Sequence, residues 1–273
     1  MSVKKCSAVC LWLSGMLLVA CLPTPTPTPP ATPSPPQRRA IDGMDVVQVP
    51  AGDFVMGSDM AGDYEDEQPV HTVALDGFWI DRYEVTNAQY RACVEANACH
   101  PAAGWEMAGL DAPEQPVVGV TWTDADSYCR WVGARLPSEA EWEKAARGMD
   151  GDPYPWGIHP ASCQYAVMED ESGKGCGRET TWPVGSKPEG ASPYGALDMC
   201  GNAMEWVADN YGAVYYQESP QLNPLGPGSG ENKVLRGGAW TVALPYVDTT
   251  VRFWFPPDTA DRDIGFRCAM GEF

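Results

Sequence analysis

Cysteine is the residue type in this chain with the widest range of chemistry, since a thiol can form a disulfide, bind a soft metal ion or act as a nucleophile. The 273-residue sequence contains ten cysteines, and seven of them follow residue 44. Cys93 and Cys99 flank a short loop, whereas Cys163 and Cys176 bracket a glycine-rich one. Both pairs are therefore predicted to form local disulfides in an oxidising compartment.

Histidine adds little to this chemistry. The chain has three histidines, and none lies near another in the sequence: His71, His100 and His159. The first falls in a strand pattern, and the other two each precede a proline in a loop. This spread argues against a histidine metal site and against a catalytic pair of histidine with cysteine or serine.

The N-terminal residues 1–20 are predicted to be a lipoprotein signal peptide. Lys4 and Lys5 precede an apolar run, and the segment Leu18–Cys21 has the pattern of a lipobox. Cleavage would leave Cys21 as the lipidated N-terminus of an exported bacterial lipoprotein, attached to the membrane through its lipid. The alternative is an uncleaved transmembrane anchor, but the apolar run is short for a bilayer.

Residues 21–43 are predicted to form a tether rich in proline and threonine. Prolines at alternate positions keep the backbone extended and remove amide donors, so the segment would hold a domain away from a membrane surface. Binding of these prolines by a partner is the alternative. Leu22 stands where an aspartate would favour retention at the inner membrane, so we expect a cell-envelope protein of the outer membrane.

Residues 44–273 are long enough for one well-buried domain. Without Lys4 and Lys5, 16 basic residues stand against 37 acidic ones, a net charge near −21. Such a surface repels nucleic acid and anionic lipid headgroups, so nucleic acid is not expected as a partner. The acidic residues could form a solvated coat or could select cations and basic partners, and the charge does not decide between these.

Local patterns predict an α/β (α+β) domain with short strands, three short helices and long loops. Residues 46–49 and 54–56 alternate like strands across the turn 50–53. Residues 71–75 and 78–80 form a second predicted pair around Asp76-Gly77, which is a common hairpin dipeptide.

Three capping patterns predict where the helices begin. Each pattern places a hydroxyl residue three positions before an acid or amide, so that side chain and backbone satisfy each other. The pairs are Thr86 with Gln89, Thr123 with Asp126, and Ser138 with Glu141. The predicted helices are Asn87–Glu95, Asp124–Val132 and Glu139–Arg147.

Ordered sequence blocks across nearly the whole domain resemble the formylglycine-generating enzymes, also called sulfatase-modifying factors. The blocks are Val49–Ser58, Tyr83–Asn87, Pro116–Trp122, Arg135–Glu143, Tyr154–Gly157, Gly201–Trp206, Val234–Trp240 and Gly265–Ala269. The resemblance implies an irregular C-type-lectin-like fold with little regular secondary structure. It also implies a disulfide between Cys129 and Cys268, which leaves Cys200 as a buried free thiol.

The chain departs from the family pattern where the chemistry would occur. The catalytic members oxidise a substrate cysteine with Cu(I) held by two cysteines in a C-x4-C spacing after the Gly-Gly pair. Here those two positions are Val242 and Val247. Valine has no lone pair to offer a metal, so copper is not expected and no catalytic residue is assigned.

The resemblance also implies a calcium loop at residues 198–205. The side chains of Asp198 and Glu205 would be ligands, together with the carbonyl oxygens of Gly201 and Ala203. Carboxylate and carbonyl oxygens are the ligands that Ca²⁺ prefers. The alternative is a tight turn stabilised by Asn202, with no metal.

A groove beside the copper position accepts the substrate peptide in the catalytic relatives. The resemblance implies that this groove is lined by Trp240, Thr241, Tyr246, Phe253, Trp254 and Arg252. For Tyr246, Phe253 and Trp254 the alternative is burial in the core, and core is favoured for Trp240. We therefore expect a non-catalytic domain that binds a protein, peptide or glycan, with an oxidase and a structural component of an envelope complex as alternatives.

Overall fold

The computed structural model describes residues 35–59, 64–149 and 151–271. The predicted signal peptide, Cys21 and most of the predicted tether lie outside these residues. Within the described ranges, no helix is long and apolar enough to cross a bilayer.

The described chain forms ten short strands and three regular helices. The strands are β1 Gln37–Arg38, β2 Asp45–Val49, β3 Gly52–Met56, β4 His71–Leu75, β5 Phe78–Asp81, β6 Met204–Asn210, β7 Lys233–Arg236, β8 Phe253–Phe255, β9 Ile264–Phe266 and β10 Ala269–Gly271. The helices are α1 Asn87–Glu95, α2 Trp122–Trp131 and α3 Glu139–Arg147. The helical segment Lys174–Gly177 is a turn, because Gly175 and Cys176 have positive φ angles.

Three sheets organise these strands. One antiparallel sheet has the order β1-β2-β5-β10, β3 pairs with β4, and the third sheet has the order β8-β7-β6-β9. Strand β9 runs parallel to β6, whereas β7 runs antiparallel to both β6 and β8. Strand β8 pairs only with β7, so the segment Phe253–Phe255 forms one edge of the third sheet.

Both predicted strand pairings are wrong, although the strand positions agree closely. Strand β2 pairs with β5 and strand β3 pairs with β4, so each turn carries the chain from one sheet to another. All four residues of β5 are buried, which suits a central strand, whereas β4 alternates between buried and more exposed positions. At the predicted hairpin, the Asp76 amide donates to the Asn223 side chain at 2.9 Å instead of closing a turn.

The predictions for α1 and α3 are confirmed, including both capping boxes. Helix α2 begins two residues earlier than predicted, because Thr121 and Asp124 form the capping box in place of Thr123 and Asp126. The Trp122 indole donates to the Val207 carbonyl of β6 at 2.7 Å, which fixes the first turn of α2 against the third sheet. Two overlapping capping patterns were available, and this tertiary contact favours the earlier one.

The folded domain begins before residue 44, the boundary expected from the sequence. Strand β1 pairs with β2, and Arg39 is buried between two carboxylates. Its guanidinium donates to Asp81 and to Asp42, each at 2.6 Å. The residues from 37 onward are therefore part of the domain rather than of the tether.

All three expected disulfides are present, and Cys200 is a buried free thiol. The bonds are Cys93–Cys99, Cys129–Cys268 and Cys163–Cys176. The Cys129–Cys268 bond joins α2 to the residue directly before β10 across 139 residues, whereas the Cys93–Cys99 bond spans six.

We predict that the long disulfide stabilises the domain much more than the shortest one. A cross-link restricts the unfolded chain more when it closes a longer loop, and this gives about 5 kcal/mol for the long loop and about 2 kcal/mol for the short one. Chemical denaturation of the Cys129→Ala/Cys268→Ala and Cys93→Ala/Cys99→Ala variants measures both values. Equal losses of unfolding free energy would show that loop length is not the controlling quantity.

Candidate functional site

The two copper positions of the family lie in an apolar cluster. Val247 is completely buried, and Val242 packs at the edge of the same cluster. The cluster also contains Met168 and the thiol of Cys200. Burial and nearby acidic groups raise the pKa of Cys200 well above its ordinary value, so this thiol is neutral. The donor set does not fit Cu(I), because one neutral thiol replaces the two thiolates that such a site needs.

A glycine turn shapes the loop that carries these valines. Gly238 has a φ of +67°, a left-handed conformation that L side chains rarely adopt. A Cβ at this position would lie 2.4 Å from the Tyr246 carbonyl oxygen. The loop can therefore fold back against the turn only because the residue is glycine.

The Glu205 carboxylate of the predicted calcium loop is engaged by other side chains. Arg267 donates to both of its oxygens at 2.6 Å, and the Trp142 indole donates to one of them at 2.8 Å. Glu205 is only 1% exposed, so this bidentate pair lies within the core. As arranged here, the Glu205 side chain does not fit a calcium ion.

The other predicted side-chain ligand, Asp198, has a different set of partners. Its carboxylate accepts from the Gly185 amide at 2.5 Å. Burial and the nearby charges of Asp198 and Glu205 raise the pKa of Glu84 well above its ordinary value. Neither oxygen of the buried Glu84 carboxyl group has a hydrogen-bond partner among the described residues. Across the described ranges, no group of three or more His, Cys, Asp or Glu side chains is arranged to hold a metal ion. The calcium prediction stays a prediction.

Four of the predicted groove residues, Tyr246, Arg252, Phe253 and Trp254, line one pocket of about 640 Å³, which we call the aromatic pocket. Three chain segments supply its lining: Tyr64, Glu65 and Asp66; Tyr211, Ala213, Val214 and Gln217; and Tyr246, Val251, Arg252, Phe253 and Trp254. Some residues of the pocket lining are close in sequence to Val242 and Val247, but neither valine lines the pocket. The walls of the pocket are therefore separate from the family's copper positions.

Stacked aromatic pairs form the walls of the pocket. Tyr64 and Tyr246 stack with their ring centres 6.1 Å apart, and Tyr211 and Trp254 stack at 5.2 Å. Trp254 is 47% exposed and Tyr246 is 42% exposed. The alternative that these two side chains belong to the core is therefore wrong, and their rings are accessible to a ligand.

Arg252 forms the floor of the pocket but is not free to bind a ligand. Its guanidinium donates to both oxygens of Glu139, at 2.7 and 3.0 Å, and to the carbonyl oxygen of Asp66 at 2.8 Å. The side chain is completely buried. Arg252 therefore holds the segment that carries Asp66 in place rather than presenting a positive charge.

Helix α3 supplies the acids that support this floor. Glu139 and Glu143, one turn apart, pair with Arg252 and Arg236 respectively. The first amide of the helix, at Glu139, donates to the Asp209 carboxylate at 2.8 Å. Burial and the neighbouring Glu139 raise the pKa of Asp209 to about 8.

Comparison with known proteins identifies the family. The model of the sulfatase-modifying factor enzyme 1-like domain matches residues 31–271. This chain belongs to that family. The resemblance seen in the sequence and the fold expected from it are both confirmed, since the described chain is a mixed arrangement of short strands and few helices like that of its structural neighbours.

Relatives of this sulfatase-modifying-factor-type domain include named enzymes. It is 35% identical to a formylglycine-generating enzyme of Streptomyces coelicolor, over 90% of this chain and 95% of that protein. It is 33% identical to a hercynine oxygenase of Mycolicibacterium thermoresistibile, over 87% of this chain and 61% of that protein. The structure of PvdO from Pseudomonas aeruginosa matches with a TM-score of 0.76 and 29% identity, over 89% of this chain and all of that one.

The structure confirms the favoured core assignment of Trp240 and corrects the groove assignment of Thr241. Trp240 is buried in a separate cluster with Leu110 and Val118. Thr241 donates to the Asp263 side chain and does not line the aromatic pocket. The sequence reasoning missed Tyr64 and Tyr211, which come from distant segments. The acidic run beginning at Glu65 was the one local signal there.

We predict that Asp209 makes the stability of this domain depend on pH. Its pKa of about 8 in the folded protein lies above the ordinary value of 3.8. The folded state therefore binds more protons between these values, and stability falls as the pH rises through this window, on the order of 1 kcal/mol per pH unit. Asp209→Asn should reduce this slope in urea unfolding measured from pH 5 to pH 8.

The exposed Asp258 provides the matched control. Asp258→Asn should retain the slope of the unmodified protein. If Asp209→Asn retains it as well, another group carries the pH dependence.

Proposed function

We propose that this protein is a ligand-binding member of the sulfatase-modifying-factor family, exported as a lipoprotein and held at the cell envelope through Cys21. The observation that carries the proposal is the complete burial of Val247 in an apolar cluster at a position where catalytic relatives place a copper ligand. Family membership and the enzyme names of relatives do not by themselves assign copper-dependent oxidation to this chain.

The donor chemistry supports a non-catalytic role. Cu(I) is held by soft ligands, and the cluster around Val242 and Val247 offers only the neutral thiol of Cys200. The remaining six domain cysteines are joined in disulfides and cannot act as thiolate ligands.

The aromatic pocket supports binding. Its volume falls within the range of small-molecule sites, and its walls combine exposed aromatic rings with a few polar groups. Aromatic side chains of this kind contribute much of the affinity at recognition surfaces. The Glu139–Arg252 ion pair supports the floor of the pocket, and it does not involve Val242 or Val247.

Two other roles remain alternatives to this proposal. A formylglycine-type oxidase would need copper ligands outside the family positions, and a structural role in an envelope complex would need fixed partners. Calcium is not part of the proposal, because Glu205 is paired with Arg267.

We expect the purified protein to take up no Cu(I) in competition with a bathocuproine chelator. It should also consume no oxygen with a cysteine-containing sulfatase-type peptide. The Val242→Cys/Val247→Cys variant restores the two thiols in the family spacing and should gain about one bound Cu(I) per chain, because thiolates bind Cu(I) strongly. The absorbance of the Cu(I)–chelator complex measures copper uptake by the unmodified protein and by the variant.

Cys200→Ser is the matched control in both backgrounds, since Cys200 is the one native cysteine of the described ranges that is not in a disulfide. Stoichiometric copper uptake by the unmodified protein, together with oxygen consumption, would establish the oxidase alternative.

We also predict that membrane attachment depends on Cys21. Cys21→Ser removes the thiol that would carry the lipid, so the protein should move from the membrane to the soluble fraction of the cell. Fractionation followed by immunoblotting measures the distribution, with Cys10→Ser as the control outside the lipobox. A Cys21→Ser protein that stays with the membrane would indicate an uncleaved anchor.

A further inference from the structure

We propose that the aromatic pocket binds an organic cation, an ammonium or guanidinium group, between its stacked rings and its acidic edge. This inference rests on the proposed binding function and names the class of ligand. Its evidence is the combination of ring geometry and charge around the pocket.

The rings offer several exposed aromatic faces to one ligand. Trp254, Tyr246 and Tyr64 are each at least 40% exposed, and they come from two walls of the same pocket. The face of an aromatic ring carries partial negative charge and attracts a cation placed over it, and tryptophan is the strongest of these partners. A purely apolar ligand would use the same surface area but would gain nothing from this charge.

The charged residues favour the same class of ligand. Glu65 is exposed at the edge, and Asp66 accepts a hydrogen bond from the Tyr211 hydroxyl at 2.8 Å. Among the lining residues, the one basic side chain is Arg252, which is completely buried and paired with Glu139. The lining therefore presents two carboxylates to a ligand and no accessible positive charge.

The size of the pocket is consistent with a cationic group and a short attached chain. A volume of about 640 Å³ exceeds what a single ammonium headgroup fills. The cation could be a free small molecule or a lysine or arginine side chain of a polypeptide. Both sources share the chemistry that the pocket would recognise.

The test begins with choline and its neutral isostere, in which a tert-butyl group replaces the trimethylammonium group. The two probes have nearly the same shape and differ in charge. We expect saturable binding of choline by calorimetric or NMR titration at low salt, and binding of the isostere at least about tenfold weaker. A second set of probes consists of short glycine-flanked peptides with lysine, arginine, glutamate or norleucine at the centre.

Variants of the pocket identify the site. Trp254→Ala should weaken cation binding by about tenfold or more, and Trp254→Phe should recover part of it, because phenylalanine retains a weaker aromatic face. Glu65→Gln should weaken it by about threefold, with a larger effect at low salt than at high salt. Glu95→Gln, an exposed acid at the end of α1, and Leu225→Ala, an exposed apolar residue elsewhere, should leave binding unchanged.

Each result has a defined meaning. Choline binding that depends on Trp254 supports a free cation as ligand, whereas binding of only the lysine or arginine peptide supports a polypeptide source. Equal binding of choline and its isostere, or Trp254-dependent binding of the glutamate or norleucine peptide alone, overturns the cation inference and leaves the binding function intact. If no probe binds in a Trp254-dependent way, the cation inference fails, and the copper experiment then decides the proposed function separately.

Discussion

The C-terminal part of this domain depends on the buried guanidinium of Arg236. It donates to the Glu143 carboxylate of α3 at 2.6 Å. It also donates to the carbonyl oxygens of Thr249, Thr250 and Val251, at 2.7, 2.7 and 3.0 Å. Breaking a buried ion pair typically costs about 3–5 kcal/mol, because the other charge is left uncompensated. The segment after the family's copper positions is thus held by an ion pair with a helix.

The ion pairs that support the aromatic pocket are independent of the family's copper positions. Glu139 and Glu143 lie one helical turn apart and face the same side of α3, where they pair with Arg252 and Arg236. Neither pair involves Val242 or Val247. These two valines place apolar atoms at the family's copper positions, whereas the rings and acids of the aromatic pocket are held by other contacts.

The separation of the pocket lining from the scaffold limits what family membership implies about the ligand. The sequence blocks that resemble the family form helix caps, buried ion pairs and the glycine turn at Gly238. The residues that line the aromatic pocket all lie between these blocks. A match to the family over residues 31–271 therefore identifies the fold, whereas the ligand depends on the side chains added to it.

The sequence by itself determined the local features: strand positions, two of three helices with their caps, and the two short disulfides. These depend on neighbouring residues, so spacing alone reveals them. The valines at the family's copper positions were identified through the family resemblance. Tertiary structure decided which strands pair, because the turn at Asp76 bonds to the distant Asn223 instead of closing a hairpin. It also brought Tyr64 and Tyr211 to Trp254 and neutralised Arg252 with Glu139, contacts between segments far apart in the chain. The family resemblance predicted several residues that line the pocket. The charge of the pocket depends on contacts between distant side chains, which only the tertiary structure shows.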